Sequence, residues 1–387
     1  MPNATPESER TAEPWPRLTA TAELAAIDLD RWATELGFDG VGVSAVDLAD
    51  HTHEAELRAW LARGFHGSMS YLERNLDKRL DPAALVPGTV RVISVRMSYL
   101  SANDAPLTTL AEPTQGYIAR YALGRDYHKV LRKRLTRLGE RLNDAAQAID
   151  VRYRAFADSA PVLERPWAAQ AGLGWIGKHT LLLHRDAGSW FFLGELFTNL
   201  PLPVTDAPIE NDCGNCRACM TVCPTDAIVE PGVLDARRCV SYLTIEHRGA
   251  IPEALRSRLG NRIFGCDDCQ LYCPWNRDAP TTAEADFEPR RWRAIDLRAP
   301  ALLELFALSE EDWLNYSAGS ALRRISFTQW QRNLAVALGN APSSETIQAA
   351  LEARLDALEQ EPASDATTLL VEHLRWALMQ QRSRTLA

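Results

Sequence analysis

The chain has 387 residues, 46% of them hydrophobic and 24% charged, with a formal net charge of −9. That length buries a sizeable core over two or three domains, and the acidic balance excludes whole-surface attraction to nucleic acid while leaving room for a local basic patch. No apolar run approaches the roughly 20 residues that cross a bilayer, and Met1 to Ala20, rich in Pro, Thr, Ala and Glu, reads as a loose tail without the apolar segment of a signal peptide. A cytoplasmic protein with no membrane partner is expected.

From Thr21 to Pro203 helical and extended patterns alternate, as in a mixed α and β domain. Leu24 to Leu36 has helical spacing and stops at Gly37, and Gly40 to Val46 and Arg91 to Tyr99 predict strands. Asp126 to Ile149 is the clearest helix, with an apolar stripe of Leu131, Leu135, Leu138, Leu142 and Ala146. A strand over Val151 to Phe156, a helix around Leu163 to Ala171 and a glycine-rich stretch, Gly172 to Gly177, follow. Two extended segments come next, His179 to His184 and Ser189 to Leu193, and Pro201, Pro203 and Pro208 mark a boundary. Pro280 to Pro300 reads as a linker. Beyond it Trp330 to Leu338, Ser344 to Leu358 and Ala366 to Gln381 predict three helices, a pattern similar to an α-solenoid of the HEAT type. A plain helical cap is the alternative. The division is a tail (1–20), a catalytic domain (21–204), a cysteine module (205–280) and a linker with helical domain (281–387).

All eight cysteines lie between Cys213 and Cys273. Thiols clustered in this way, with no export signal, point to metal ligation and not to a disulfide framework. Cys213-x2-Cys216-x2-Cys219-x3-Cys223-Pro224 is the bacterial ferredoxin run, in which the fourth thiolate reaches across to the other cluster. Cys266-x2-Cys269-x3-Cys273-Pro274 is one cysteine short, and Cys239 can supply it. The spacing therefore assigns Cys213, Cys216, Cys219 and Cys273 to one 4Fe–4S cluster, and Cys223, Cys239, Cys266 and Cys269 to another. Zinc, which favours two-plus-two spacing, fits less well. Two clusters in one small module imply an electron relay to an acceptor elsewhere in the chain.

Gly172-Leu-Gly174-Trp-Ile-Gly177 has the letters of a dinucleotide fingerprint, but a helical segment precedes it and an extended one follows, the reverse of the order that motif needs. Its glycines leave room for a flat or bulky ligand. Asp126-Tyr-His128-Lys-Val-Leu131 approaches the D-x-H-x-x-G motif of some corrinoid enzymes without the final Gly, so His128 reads as a structural or surface histidine at a helix start. Asp158-Ser-Ala-Pro-Val-Leu-Glu164-Arg165 is either a helix cap with an ion pair or the seat of a catalytic acid. A carboxyl group beside an apolar cofactor would have a raised pKa and deliver a proton. Basic residues gather at Arg125 to Arg141, at Arg290, Arg291, Arg293 and Arg298, and at Arg323, Arg324 and Arg332. Each reads as a solvated face or as a phosphate-backbone footprint.

Four stretches together resemble the epoxyqueuosine reductase family: Arg120-Tyr-Ala-Leu-Gly-Arg-Asp-Tyr-His128, Asp158 to Arg165, Ala171-Gly-Leu-Gly-Trp-Ile-Gly-Lys178, and Gly265-Cys-Asp-Asp-Cys-Gln-Leu-Tyr-Cys-Pro274. The likeness runs from about Leu24 to the C-terminus. It implies an α+β protein: a cobalamin-binding α/β domain, a ferredoxin-like two-cluster module and C-terminal all-α HEAT-like repeats. It also implies a cobalamin held base-off, Asp158 as proton donor, and cofactor contacts from Arg79, Ala122, Lys178 and His179. Asp267 and Asp268 would lie between cluster and corrin, and Ser241 and Arg248 would touch tRNA. The implied reaction is reduction of epoxyqueuosine to queuosine in a tRNA anticodon stem-loop, by a monomer fed by a reductase, flavodoxin or ferredoxin. Electrons would cross from cluster to cluster to cobalt, and Asp158 would protonate the oxygen before water leaves. The wobble base would leave its stack at a cost of roughly a few kcal/mol. Two rivals are a reductive dehalogenase, which usually carries a twin-arginine signal and lacks HEAT-like helices, and a plain electron carrier, which leaves Asp158 unexplained.

Overall fold

Short runs of Val, Ile, Phe and Met build a four-stranded sheet in the order Gly40–Ala45, Arg91–Ser98, Phe191–Thr198, Tyr153–Phe156. Every pairing in it is antiparallel. This computed structural model describes residues 13–21, 24, 27–46, 52–102, 104–146, 150–205 and 209–385. Residues 1–12 of the expected tail, residues 25 and 26 of the helix expected from Leu24, residues 147–149 of the one expected from Asp126, and Pro208 lie outside the described residues. The helix after Leu24 is shorter than expected, Leu29–Glu35, because Asp28 caps it by accepting the Arg31 amide at 3.0 Å. The central strand runs on to Thr198, past the expected end at Leu193, since the Gly194-Glu195 pair breaks the apolar pattern without breaking the ladder.

The helix Tyr127–Ala145 lays Leu131, Leu135, Leu138 and Leu142 on one face of this sheet. On the other face the helix Glu164–Gln170 packs Trp167 against Val92, Phe156 and Phe197. The two helices thus bring their N-terminal turns to the edge strand that ends at Phe156. In the cysteine module, Arg262–Phe264 pairs in parallel with Tyr117–Ile118. One continuous core follows from this junction, running from Ile118 and Ala122 through Leu243 and Phe264 to Trp330, Leu334 and Leu374.

The C-terminal helices form where the periodicity places them, Phe327–Asn340, Glu345–Glu359 and Asp365–Thr385. The first opens with a capping box between Ser326 and Gln329 and is buried on all sides from Gln329 to Gly339. That burial overturns one sequence expectation, since Arg332, grouped with the basic clusters, is 0% exposed. Its guanidinium donates to the carbonyl oxygens of Leu243 at 2.7 Å, His247 at 2.7 Å and Gly249 at 2.8 Å. Arg332→Met removes those donors from three carbonyl groups, two of them partly buried, so it should lower unfolding stability by about 2–4 kcal/mol. Denaturant titration checks this; a change below about 0.5 kcal/mol would mean that the cradle is not structural.

Candidate active site

Asp158 stands between the edge strand and the helix Glu164–Gln170 with φ of 57°, a left-handed conformation rare outside glycine and asparagine. Three contacts over-determine it. Its amide donates to Glu164 Oε1 at 2.5 Å, the Tyr127 hydroxyl donates to its Oδ2 at 2.6 Å, and His128 Nε2 lies 2.9 Å from the same oxygen. The other ring nitrogen of His128 lies 2.8 Å from Asp126 Oδ1, the carboxylate that caps the long helix. Tyr127 stacks on Phe192 at 4.1 Å and on His128 at 4.0 Å, which fixes both donors. His128 stands at the helix start, as expected, and its imidazole also contacts the candidate acid.

The charges at this site are paired. Burial works against a charge on His128, but hydrogen bonds to Asp126 and Asp158 outweigh it and carry the imidazole from 6.5 up to about 9. Burial likewise raises the Asp158 carboxyl, and the bonds from His128 and Tyr127 more than reverse that, so it lies below its ordinary value. The raised pKa expected for Asp158 is not found, because a cation sits beside it. At neutral pH the pair carries one proton, resident on His128. The Asp158 side chain keeps 56% of its surface open, and Tyr71, Arg79, Glu246 and Arg324 lie near enough to it or to one another to interact electrostatically. Arg324 forks onto Glu246 at 2.9 and 3.0 Å, so the module and the C-terminal part meet beside Asp158.

The other sequence-predicted residues divide into two groups. Arg79 Nε and His179 Nε2 are buried with no hydrogen-bond partner among the described residues. His179 Nδ1 accepts the Leu181 amide at 3.1 Å and burial lowers the ring to about 4, so the ring is neutral and its proton sits on Nε2, a donor without an acceptor. Ala122 is buried in the turn Arg120–Ala122. Lys178, Asp267 and Asp268 already have protein partners. Lys178 donates to the carbonyl groups of Gly214 and Cys216. Asp267 accepts from Tyr117 Oη and the Arg120 amide, each at 2.8 Å, and Asp268 takes Arg262 Nε at 2.7 Å and the Cys266 thiol at 2.9 Å. Ser241 is half-buried in the helix Val240–Ile245, and Arg248 is exposed just beyond it. The glycine stretch does not keep its room free. A Cβ on Gly174 would strike the Leu183 carbonyl oxygen, which a short hairpin of Trp175–Ile176 with Leu182–Leu183 brings in.

The eight thiols fall into two neighbourhoods. Burial, and then the charges of Cys213, Cys219 and Cys216, push the Cys273 thiol up to about 11, and Cys219 feels Cys213 and Cys216. Cys239 feels Cys223, Cys266 feels Cys269 and Cys239, and Cys269 feels Cys239 and Cys223. Cys269 also feels Cys219, which marks where the two sets approach. Among the described residues no three His, Cys, Asp or Glu side chains converge on a single ion.

Comparison with known proteins agrees with this geometry. Residues 79–159 match a family model described as epoxyqueuosine reductase QueG, DUF1730, and residues 212–276 match one described as a 4Fe–4S double cluster binding domain. Over 356 residues the chain is 56% identical to the epoxyqueuosine reductase of Shigella dysenteriae serotype 1, covering 92% of this chain and 89% of that protein. The Escherichia coli K12 enzyme of the same name is 55% identical over the same shares. A solved epoxyqueuosine reductase with a tRNA-Tyr epoxyqueuosine-modified stem loop superposes with a TM-score of 0.78 at 26% identity, over 92% of this chain and 98% of that one. The Bacillus subtilis enzyme gives 0.78 at 27%, over 92% and 89%.

Proposed function

The chain belongs to the epoxyqueuosine reductase family, and on that premise we propose that it reduces epoxyqueuosine to queuosine in tRNA, with Asp158 delivering protons and the cysteine module delivering electrons. The observation that carries this reading is the Asp126–His128–Asp158 chain with Tyr127, which holds one proton at a carboxylate that keeps 56% of its side-chain surface open. Cofactor binding falls in residues 21–204 and the relay in 205–280, with the linker and helical domain in 281–387.

The buried, unpartnered donors at Arg79 and His179 fit a cofactor rich in amide carbonyl and phosphate acceptors, as cobalamin is. Bound there, a corrinoid supplies a low-potential reductant that no side chain offers. Arg79, Ala122, Lys178 and His179 would hold it. No histidine is assigned to cobalt, since His128 is occupied on both nitrogens, in keeping with a base-off cofactor. Cys213, Cys216, Cys219 and Cys273 would hold one 4Fe–4S cluster, and Cys223, Cys239, Cys266 and Cys269 the other. Asp268, held by Arg262, and Asp267, held by Tyr117, would lie between the second set and the cofactor. Ser241 and Arg248, on the module face beside Glu246, would meet the anticodon stem-loop. The protein would act as a cytoplasmic monomer fed by a one-electron reductase, flavodoxin or ferredoxin. Among the described residues no helix is long and apolar enough to cross a membrane.

Expression in a strain that lacks its own reductase and accumulates epoxyqueuosine should restore queuosine to bulk tRNA, read by nucleoside mass spectrometry. Persistence of epoxyqueuosine with an iron-loaded, corrinoid-supplied protein would overturn the assignment.

A further inference from the structure

Conversion of an epoxide to an alkene takes up two electrons and two protons and releases one water, so both protons end on the same departing oxygen. The His128–Asp158 pair holds one. Directly behind it lies a second acid pair that the reading above does not use. Glu195 sits mid-strand in the sheet, in register with Ser94 on one side and Phe156 on the other, and is 0% exposed. Neither of its carboxyl oxygens has a hydrogen-bond partner among the described residues. An ionised carboxylate left there would cost several kcal/mol. Glu195 shares its sheet face with Phe197, against which the helix Glu164–Gln170 packs Trp167, and that helix opens with another acid, Glu164, which interacts with Glu195 and whose Oε1 takes the Asp158 amide. Two carboxylates cannot bond to each other; the contact is satisfied once one of them carries a proton.

We propose that Glu164 and Glu195 share a proton between their carboxyl groups and return it to Asp158, so that one active-site acid protonates the departing oxygen twice in each turnover. The proposal rests on the function assigned above. In the first step the C–O bond opens, the oxygen takes the proton held by His128 and Asp158, and the alcohol forms. The shared proton then passes to Asp158 and reloads it, which leaves the acid pair, a monoanion while it held the proton, a dianion until solvent refills it. In the second step the remaining C–O bond breaks, the hydroxyl takes that proton and leaves as water, and the alkene forms. The two electrons come from the cluster relay. Solvent refills the pair from the Glu164 side, which is only half-buried.

The surroundings fit a proton that is held at neutral pH and yet can be released. Burial, and then the charge of Asp158, raise Glu164 to about 7, and burial with Glu164 raises Glu195 far above the carboxylate range. The other charged groups facing the pair are Arg165 and Arg79, which act on Glu164, and Tyr127 on the far side of Asp158. The arginines make release easier and keep Glu164 from becoming a permanent acid.

Glu195→Gln tests this on the iron-loaded protein, because the carboxamide keeps the volume and can donate to Glu164 while abolishing proton exchange. Infrared spectra at pH 7 should show a protonated carboxyl band in the parent and in Asp158→Asn, absent from Glu195→Gln. In single turnover with corrinoid and modified stem-loop, Glu195→Gln should lose about tenfold or more in rate, with KM unchanged and the loss growing from pH 6 to 8. Glu164→Gln, at the partly exposed member, should give the same two results if Glu195→Gln does not fold. An unchanged infrared band, or a rate and pH profile parallel to the parent's, overturns the reservoir. If the parent itself leaves epoxyqueuosine unreduced, the assigned function fails instead, whatever the band does.

Discussion

Asp158→Asn leaves both clusters and the fold in place and slows queuosine formation by about 10²–10⁴-fold, the share that a positioned proton donor contributes. The substitution is chosen for its backbone. Position 158 has φ of 57°, and Asn is among the few residues that take this conformation readily, so no refolding of the loop is expected. The Tyr127 hydroxyl and the protonated His128 can both still donate to the carboxamide oxygen. What disappears is an oxygen able to receive and pass on a proton. Iron content and stem-loop affinity should therefore match the parent, and single-turnover nucleoside analysis should carry the whole loss. Full activity in Asp158→Asn would leave His128 as the donor and Asp158 as its holder.

The same pairing sets a pH dependence of stability. His128 is raised from 6.5 to about 9 in the folded chain, so its interaction with Asp126 and Asp158 stabilises fully below pH 6.5 and is lost as pH rises through about 9. The stability gap between the parent and His128→Asn should accordingly be widest below pH 6.5 and narrow toward pH 9, measured by denaturant unfolding at each pH. A gap independent of pH would mean that the ring is neutral throughout.

What the sequence disclosed, and what it hid, follows from the range of each signal. The cysteine spacing is local, and so is the turn chemistry of Asp158 to Arg165, so both could be read without a fold. The C-terminal helices were legible because their periodicity extends over several turns. The contact of Tyr127 and His128 with Asp158 spans 31 and 30 residues and depends on two helices meeting at one strand end, which no local pattern encodes. Glu195 was hidden differently: a lone acid within an apolar run looks like the end of a strand, and only the ladder on both sides of it shows otherwise. The glycine stretch and Arg332 misled for one shared reason. Small residues and charges state what a position permits, and the packing partner, Leu183 in one case and three carbonyl groups in the other, decides how it is used.

Cys239→Ala should cut bound iron from about eight to about four per chain and abolish turnover. This cysteine is the least local of the proposed ligands, since it lies outside both runs, at the junction of the turn Ala236–Arg238 and the helix Val240–Ile245. Tertiary contacts fix that helix. The Tyr242 hydroxyl bonds Ser68 at 2.8 Å, Thr244 Oγ1 takes the Gly265 amide at 2.9 Å, and Arg332 holds the Leu243 carbonyl oxygen. The thiol is therefore delivered to Cys223, Cys266 and Cys269 by the fold and not by spacing. The other set, drawn from Cys213, Cys216, Cys219 and Cys273, does not include it and should keep its cubane, visible in the reduced protein by electron paramagnetic resonance. Cys213→Ala should give the complementary loss, leaving the set nearest Asp267 intact. If Cys239→Ala retained all its iron, Cys239 would be a bystander and the partition of ligands between the clusters would have to be redrawn. If it lost both clusters, the two sites would assemble as one cooperative unit, a stronger coupling than the single approach of Cys269 to Cys219 implies.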